Sequence, residues 1–351
     1  MKRATSKTLS FVSLKKLASS NSISSLQPKS VLHVPCYCNN NNYSNTRNFS
    51  TSIVSSFHSD HGHQVHPAAT SATTNTKQPA SNPLPGIKHI IVVSSGKGGV
   101  GKSTVATNLA LALSSFCQKS VGLLDADIYG PSIHRMMNVS GKPNMDEDTR
   151  KIIPKSNYGV RVMSMGFLIQ EDAPTIWRGP MVMGAVDQLL TQVEWGELDI
   201  LVIDLPPGTG DAQLSICQRV QLSGAVIVST PQDIALIDVR RGVNMFRKLS
   251  VPILGVVENM SYFKCSNCGH EEHIFGHNGA RRTAQEMGLE FIGEIPLHTQ
   301  ICETSDAGRP VVISDPQSER AAAFVKIARR VVDRLEGNES GSIPKITIEE
   351  D

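Results

Sequence analysis

Acidic residues are absent from the first fifty positions of this chain, which hold no Asp and no Glu. The same stretch is rich in Ser and Asn and contains Lys and Arg, a composition typical of peptides that direct proteins into organelles. Residues 9–17 can form a short helix with a basic face, and Arg47 and Phe49 resemble the arginine and the aromatic residue of a mitochondrial matrix-processing site. We therefore predict a mitochondrial transit peptide over residues 1–49, cut after Phe49, and a disordered linker over residues 50–85.

Long apolar runs are also absent, since no stretch approaches the roughly 18 to 20 residues that span a bilayer. We therefore expect a soluble protein with no stable membrane insertion. The net charge of the whole chain is +2, but residues 1–85 hold eight Lys or Arg against the single acid Asp60, so they carry +7 and residues 86–351 carry −5. This acidic core argues against a broad nucleic-acid-binding face, and we expect no nucleic-acid partner. The seven cysteines follow no secretory signal, which argues against a disulfide framework.

Short apolar runs alternate with helical patterns after residue 85, as in βα units that build a parallel sheet. The predicted strands are His89–Ser94, Val121–Asp125, Ile200–Asp204, Ala225–Ser229, Ile253–Val257 and Phe291–Ile295, and the predicted helices include Lys102–Phe116 and Ser318–Leu335. The expected fold class is α/β, a mostly parallel sheet flanked by helices, in one domain over residues 86–336 followed by an acidic, frayed tail over residues 337–351. Functional loops should gather at the carboxyl ends of the strands.

A glycine-rich segment lies between the first predicted strand and the first predicted helix. It reads Gly96-Lys97-Gly98-Gly99-Val100-Gly101-Lys102-Ser103. Glycines let successive backbone N–H groups turn towards phosphate oxygens, and the following helix adds its dipole. Lys102 is expected to reach the β- and γ-phosphates and the Ser103 hydroxyl to bind magnesium, so ATP and magnesium are the predicted ligands. Lys97 has no role in this minimal cradle and is free to contact a nucleotide held by a neighbouring subunit.

Carboxylates follow two of the predicted strands. Asp125 and Asp127 come at the end of the second strand, and Asp204 ends the third. A carboxylate at such a strand end can hold magnesium through water. The stiff turn after Asp204 contains two prolines and Gly208, whose amide is suited to sensing a γ-phosphate. An Asp in this position is also a frequent helix cap, so the nearby glycine loop is what favours the magnesium role.

Among the cysteines, only Cys265 and Cys268 have the spacing of metal ligands. Two thiolates bind a soft metal but do not complete a tetrahedral site. Three interpretations remain open from spacing alone. A metal or an iron–sulfur cluster is shared by two chains, a single-chain zinc site recruits His270, His273 or His277, or the pair is a thioredoxin-like redox couple.

Together these residues resemble the Mrp-type, ParA/MinD-related P-loop ATPases of iron–sulfur cluster assembly, which have a deviant Walker A loop of the SIMIBI type. The resemblance runs from about His89 to Leu335. Besides the glycine loop, which continues to Thr104, and the cysteine pair, the matching motifs are Asp125–Ser132, Trp177–Met181, Asp204–Asp211 and Glu258–Ser261. One departure is Ser266, which stands where the family commonly has proline. The chain is most similar to the mitochondrial branch, which serves the assembly of respiratory complex I.

The resemblance implies a role for each matching residue at the nucleotide site. The segment from Gly96 to Thr104 would bind the nucleotide. Lys97 matches the signature lysine that crosses a dimer interface, and Asp127 matches the switch residue that positions magnesium and the attacking water. Asp204 matches the Walker B carboxylate, and Asn259 matches the asparagine that contacts adenine.

The resemblance also favours one interpretation of the cysteine pair. Cys265 and Cys268 match the pair that holds a [4Fe-4S] cluster together with the same pair of a second chain. The implied function is a homodimeric, ATP-dependent iron–sulfur cluster carrier in the mitochondrial matrix, a slow ATP hydrolase that delivers the cluster to apo-proteins such as complex I subunits. The alternative is a zinc-stabilised regulatory or positioning ATPase without cluster transfer.

Overall fold

The computed structural model describes residues 84–128, 130–168, 179–265 and 267–339. The predicted leader, nearly all of the predicted linker and the tail from residue 340 onward lie outside the described residues. So do Trp177 and Arg178 of one family motif and Ser266 between the two cysteines.

The described strands form one nine-stranded sheet. They are β1 (Ile87–Ser94), β2 (Val121–Asp125), β3 (Lys155–Asn157), β4 (Val160–Ser164), β5 (Leu198–Asp204), β6 (Gly224–Ser229), β7 (Ile253–Lys264), β8 (Glu271–Glu272) and β9 (Phe291–Leu297). Their order is β3-β4-β2-β5-β1-β6-β7-β8, and β9 also pairs with β7. The pairings of β3 and β8 are antiparallel and the others are parallel. The loops that follow β1, β2 and β5 therefore meet at one edge of the sheet.

Helices cover both faces of this sheet. They are α1 (Lys102–Cys117), α2 (Ile133–Met136), α3 (Gly179–Thr191), α4 (Asp211–Arg219), α5 (Asp233–Lys248), α6 (Gly279–Glu286), α7 (Thr299–Asp306), α8 (Val311–Ser314) and α9 (Glu319–Glu339). Apolar residues of α1, α2, α7, α8 and α9 share one buried layer, and those of α3, α4, α5 and α6 share the other. With both faces covered, the central strands are continuous apolar runs rather than alternating ones, and all five residues of β2 are buried.

The predicted fold class is confirmed, and each predicted strand is present. The largest correction concerns β7, which the sequence predicted to end at Val257 and which continues to Lys264. Two strands at the far edge, β3 and β4, were not predicted. The last helix begins near the expected position but extends to Glu339, beyond the predicted end at Leu335.

Within the described part of the chain, no helix is both long enough and apolar enough to cross a membrane.

Candidate functional site

The glycine loop joins the buried strand β1 to helix α1, as predicted. Gly99 and Gly101 have φ values of +80° and +79°, a left-handed conformation that residues with a Cβ rarely adopt. A Cβ at Gly101 would also lie 2.2 Å from Nδ2 of Asn259, and one at Gly96 would lie 2.3 Å from Cβ of Asp238. Glycine at these positions thus allows both the turn and the close approach of β7 and α5 to the loop.

A buried ion pair lies directly beneath the loop. Nζ of Lys102 is 2.7 Å from Oδ1 of Asp204 and 3.8 Å from Oδ2 of Asp127, and the side chains of Lys102 and Asp204 are 6% and 0% exposed. The Ser103 hydroxyl donates to the other oxygen of Asp204 at 2.5 Å. The structure therefore brings together four of the residues predicted to handle phosphate and magnesium. The ammonium group of Lys102 thus faces the carboxylates of both Asp204 and Asp127.

Asp125 is hydrogen-bonded to the segment that carries Asp127. One carboxylate oxygen accepts from the amide of Asp127, and the other accepts from the amides of Ser132 and Ile133, each at 3.1 Å. The second oxygen also accepts from the Ser164 hydroxyl of β4 at 2.9 Å. Asp125 thus fixes both ends of the turn after β2 and holds Asp127 near the ion pair.

Two buried acids lie side by side here, because Asp125 and Asp204 are register partners on neighbouring strands. Burial raises the pKa of Asp125 to about 7, and repulsion by Asp204 adds to the shift. Burial also raises the pKa of Asp204, although Lys102 and Ser103 oppose that effect. This pair of buried carboxyl groups therefore takes up a proton more readily than isolated carboxylates would.

Replacing Asp125 with Asn should flatten the pH dependence of stability. An Asp whose folded-state pKa lies above its unfolded value of 3.8 stabilises the protein fully below that value, and the contribution is lost as the pH rises towards about 7. Over that window the wild type should lose up to about 1.4 kcal/mol of unfolding free energy per pH unit from this group. Urea unfolding at several pH values measures the slope, and an equal slope in Asp125→Asn would contradict the assignment.

Asp199 offers a control for that experiment, because its pKa is shifted in the opposite direction. The Lys88 ammonium and the Ser120 amide hydrogen-bond to Asp199 and hold its pKa below the ordinary value. The stabilisation that Asp199 contributes is therefore fully present above its unfolded-state pKa of 3.8, and it is lost as the pH falls through the lower folded-state pKa. Asp199→Asn should leave the loss of stability between about pH 4 and pH 7 unchanged.

A cavity of about 530 Å³ opens above the glycine loop. Its walls come from the loop itself, the segment after β2, the middle of β7 and the connection from β9 to α7. Asn259 lies in this wall and donates from Nδ2 to the Val100 carbonyl of the loop at 2.8 Å. The predicted position of Asn259 at the end of a strand is wrong, because β7 continues past it, but the residue does reach the nucleotide loop.

Three further predicted residues have clear positions. Lys97 is exposed, and its backbone carbonyl accepts from the Ser95 hydroxyl at 2.9 Å. The Gly208 amide, expected to sense a γ-phosphate, donates to the Ser95 carbonyl at 3.0 Å. Thr104 also lines the cavity.

The cysteine pair lies in the tight turn between β7 and β8. The amide of Cys265 donates to the His270 carbonyl, and the amide of Gly269 donates to the Cys265 carbonyl, both at 2.9 Å. Both thiols are free, Cys265 half-buried and Cys268 exposed. The backbone amides of Cys268 and Asn267 point at the Cys265 sulfur and lower its pKa, which favours the thiolate form that binds metals.

The histidines considered as zinc ligands do not gather around this pair. Nδ1 of His273 lies 3.0 Å from the Ser261 carbonyl, and its ring packs edge-on against His277. Among the described residues there is no group of three or more His, Cys, Asp or Glu side chains placed to hold a metal ion. The pair also sits in a hairpin turn and not at the start of a helix, unlike a thioredoxin-type couple. Neither single-chain interpretation has structural support in the described residues.

The nucleotide cavity and the cysteine turn are neighbours, which sequence reasoning missed. Asn259 and Cys265 are both carried by β7 and its turn, six positions apart, with Met260 in a left-handed conformation at φ +56° between them. Pro296 and His298, at the end of β9, line the nucleotide cavity and also a second cavity beside Cys265. No sequence spacing relates residues 296–298 to either motif, so only the fold could reveal this shared wall.

Comparison with known proteins gives one consistent family. Residues 86–332 match the family model described as ParA, the NUBPL iron-transfer P-loop NTPases. The chain is 56% identical to the iron–sulfur cluster transfer protein NUBPL of Mus musculus over 74% of its own length and 82% of that protein. It is 58% identical to an Arabidopsis thaliana protein described as an iron–sulfur protein required for mitochondrial NADH dehydrogenase, over 72% of this chain and 80% of that protein.

Solved structures agree with this result. A nucleotide-binding protein of Archaeoglobus fulgidus in complex with ADP is 40% identical, with a TM-score of 0.59 over 68% of this chain and 92% of that one. The cell-division ATPase MinD of Pyrococcus furiosus has a TM-score of 0.54 at 23% identity, over 70% of this chain and 98% of that one, and so bears on the fold alone.

Proposed function

The chain belongs to the ParA-type family of NUBPL iron-transfer P-loop NTPases, and we propose that it is an ATP-dependent carrier of a [4Fe-4S] cluster. The cargo would be held between two copies of the chain and delivered to mitochondrial apo-proteins, with subunits of respiratory complex I as the expected clients. The Arabidopsis relative, an iron–sulfur protein required for mitochondrial NADH dehydrogenase, supports this choice of client.

The observation that carries the proposal is the placement of two sites along one strand. β7 brings Asn259 against the nucleotide loop and ends directly before Cys265. The thiol pair, which can bind a soft metal, and the phosphate loop are thus connected by the same strand, β7. A simple ATPase or a structural zinc protein would not need this connection. A shift of β7 on nucleotide binding would move the thiols, so nucleotide state and cargo affinity would be linked.

At the nucleotide, Lys102 would leave Asp204 and turn to the β- and γ-phosphates, because the phosphates offer more negative charge than the carboxylate. That exchange frees Asp204 and Ser103, whose carboxylate and hydroxyl oxygens form the hard donor set that suits magnesium. The bound ion would neutralise charge on the β- and γ-phosphates. Asp127, held by the Asp125 turn, would orient the attacking water, and Asn259 would contact the adenine.

The cysteine pair supports a shared cargo site. Cys265 and Cys268 supply two thiolates per chain, and a [4Fe-4S] cluster has four irons to be ligated. Two chains related by a two-fold axis would supply the four thiolates without any further residue. Lys97, exposed in the glycine loop, would reach across the same dimer to the partner's nucleotide, so that ATP brings the two cysteine pairs together.

Anaerobic reconstitution with iron and sulfide, followed by counting metals per dimer, tests the proposal. The expected result is about four iron and about four sulfide ions per dimer, with the broad visible absorption of iron–thiolate charge transfer. Transfer is then measured as activation of an apo-protein that needs a [4Fe-4S] cluster. A colourless protein that binds zinc alone under these conditions would overturn the carrier function and favour the zinc-stabilised regulatory ATPase.

The leader should be cut on import into the mitochondrial matrix. Cleavage after Phe49 removes seven basic residues and no acid, together with Cys36 and Cys38, and leaves residues 50–85 as a linker before the acidic core. N-terminal sequencing of the mature protein from isolated mitochondria should begin at Ser50. An intact Met1, or recovery of the protein from plastids only, would contradict the proposed mitochondrial localisation.

A further inference from the structure

A second cavity, of about 340 Å³, lies beside the cysteine turn. We call it the thiol cavity, defined by Cys265, Lys264, His298 and Arg320 in its wall. Cys265 is half-buried against it, whereas Cys268 is exposed on the outer side of the turn. A cluster bound by both thiols would therefore be open to bulk water at Cys268 and to the thiol cavity at Cys265.

Hydrogen-bond donors in the wall of this cavity are incompletely used. Arg320 donates from Nη2 to the Asp315 carboxylate at 2.9 Å, but its Nε is buried and has no partner among the described residues. Nδ1 of His298 accepts from the Gln300 amide at 3.1 Å, so in the neutral ring the proton is on Nε2, which is a donor. The guanidinium has five N–H donors and the bond to Asp315 uses one of them, so Arg320 has donors left for a second carboxylate.

The two cations in the wall are each paired with one carboxylate, and Arg320, the more buried of the two, is better suited to attract a second one. Lys264 and Arg320 are the cations, and Glu319 is the one acid among the residues that line the cavity in the described part of the chain. Glu319 is already paired with Lys264 at 2.8 Å, and that pair is exposed. Arg320 is less exposed, at 22% of its side chain, so its attraction for a carboxylate is screened less by solvent.

We propose that the thiol cavity receives the incoming thiol during cluster transfer and selects one that carries a carboxylate. The carboxylate would bind the Arg320 guanidinium, which places the sulfur beside Cys265. This inference rests on the proposed carrier function and identifies the exchange partner of that site. In the exchange, the incoming sulfur forms a bond to iron, the bond from iron to the Cys265 sulfur breaks, and the proton of the incoming thiol passes to the released Cys265 thiolate, with no change of oxidation state.

Paired thiols test the selection on the reconstituted full chain. 3-Mercaptopropionate and 3-mercapto-1-propanol have the same length and differ in the carboxylate, and the loss of protein-bound iron, counted after rapid gel filtration at successive times, gives the rate at which each thiol removes the cluster. A charge-assisted hydrogen bond predicts that the carboxylated thiol acts about tenfold faster at low salt. In Arg320→Gln the ratio should fall to near one, and in Arg320→Lys it should be partly kept.

Arg334→Gln is the matched control, because Arg334 lies on the same helix and pairs with Glu290 at 3.1 Å, away from the cavity. It should keep the tenfold ratio. Glutathione and a synthetic peptide with adjacent Asp and Cys then separate a small soluble thiol from a client segment. Arg320-dependent acceleration by either supports the proposal and identifies the source, whereas equal rates for all thiols in the wild type would overturn it.

A second measurement needs no cluster and so separates this inference from the carrier function. Adducts at Cys265 are counted by peptide mass spectrometry after brief reaction of the apo-protein with an anionic aryl disulfide or with neutral dithiodipyridine. The anionic reagent should modify Cys265 faster in the wild type than in Arg320→Gln, while the neutral reagent should not distinguish them. The same preference in both proteins would overturn the role of Arg320, even if cluster binding is normal.

Discussion

Replacing both Cys265 and Cys268 with Ala is expected to reduce the bound iron after anaerobic reconstitution from about four per dimer to near zero. Among the described residues there is no group of three or more His, Cys, Asp or Glu placed to hold a metal ion, so we expect no substitute ligands at this turn. Nucleotide affinity should be nearly unchanged, because neither cysteine lines the nucleotide cavity. Iron and sulfide counts and a nucleotide titration on the same preparation measure both effects.

Cys302→Ala is the matched control for the cysteine experiment. Cys302 is also exposed, but it lies on α7 in the wall of the nucleotide cavity, away from the turn. The control should keep the full cluster. A full cluster in the double variant would contradict the ligand assignment. Failure of the metal-free double variant to fold would point instead to a structural metal, because binding energy at such a site is also folding energy.

The elements that could be predicted are those whose own residues form a recognisable apolar run. The strands next to the centre of the sheet are apolar on both faces, so β1, β2, β5 and β6 stand out in the sequence. β4 did not, because Arg161 interrupts its apolar pattern and only its pairing with β2 buries it.

The end of β7 was misplaced for a related reason. The sequence turns polar at Glu258, which is typical of a strand end, yet Glu258 is fully buried. Its carboxylate accepts from the Ser261 hydroxyl at 2.6 Å and from the Ala280 amide at 2.7 Å. The contact with Ala280 exists only because α6 packs against β7, and no local pattern predicts it.

The candidate site also has a part that could be predicted from local sequence and a part that could not. The glycine loop could be predicted because its function depends on a contiguous run of residues whose glycines are needed locally. The contacts of Asp125 with Ser164 and of Asn259 with Val100 join segments 39 and 159 positions apart. The relation between the nucleotide cavity and the thiol pair depends on β9 lying beside β7, with Leu297 paired to Phe263. That relation is a property of topology, which motif spacing does not contain.

The second large effect is expected at the two lysines of the glycine loop. Lys102→Ala should weaken ATP binding by about a hundredfold, because it removes a buried cation that would make charge-assisted hydrogen bonds to the phosphates. It should also destabilise the nucleotide-free protein by about 3–5 kcal/mol, since Asp204 would remain buried without its partner. Isothermal titration gives the affinity, and urea unfolding shows how much of the sample is folded at each titration temperature.

Lys97→Ala is both the matched comparison and a separate test of the dimer. Lys97 is exposed, and its side chain lies outside the buried Lys102–Asp204 pair. The free energy of unfolding should therefore change by no more than about 0.5 kcal/mol, and the ATP affinity of the single chain by no more than a few fold. The variant should instead lose ATP-dependent dimerisation, measured by sedimentation with a non-hydrolysable ATP analogue. If Lys97→Ala lost nucleotide affinity as severely as Lys102→Ala, Lys97 would belong to its own subunit's cradle. If it dimerised normally with ATP, contact across the interface would be excluded as its role, and the cysteine pairs would have to be brought together by other residues.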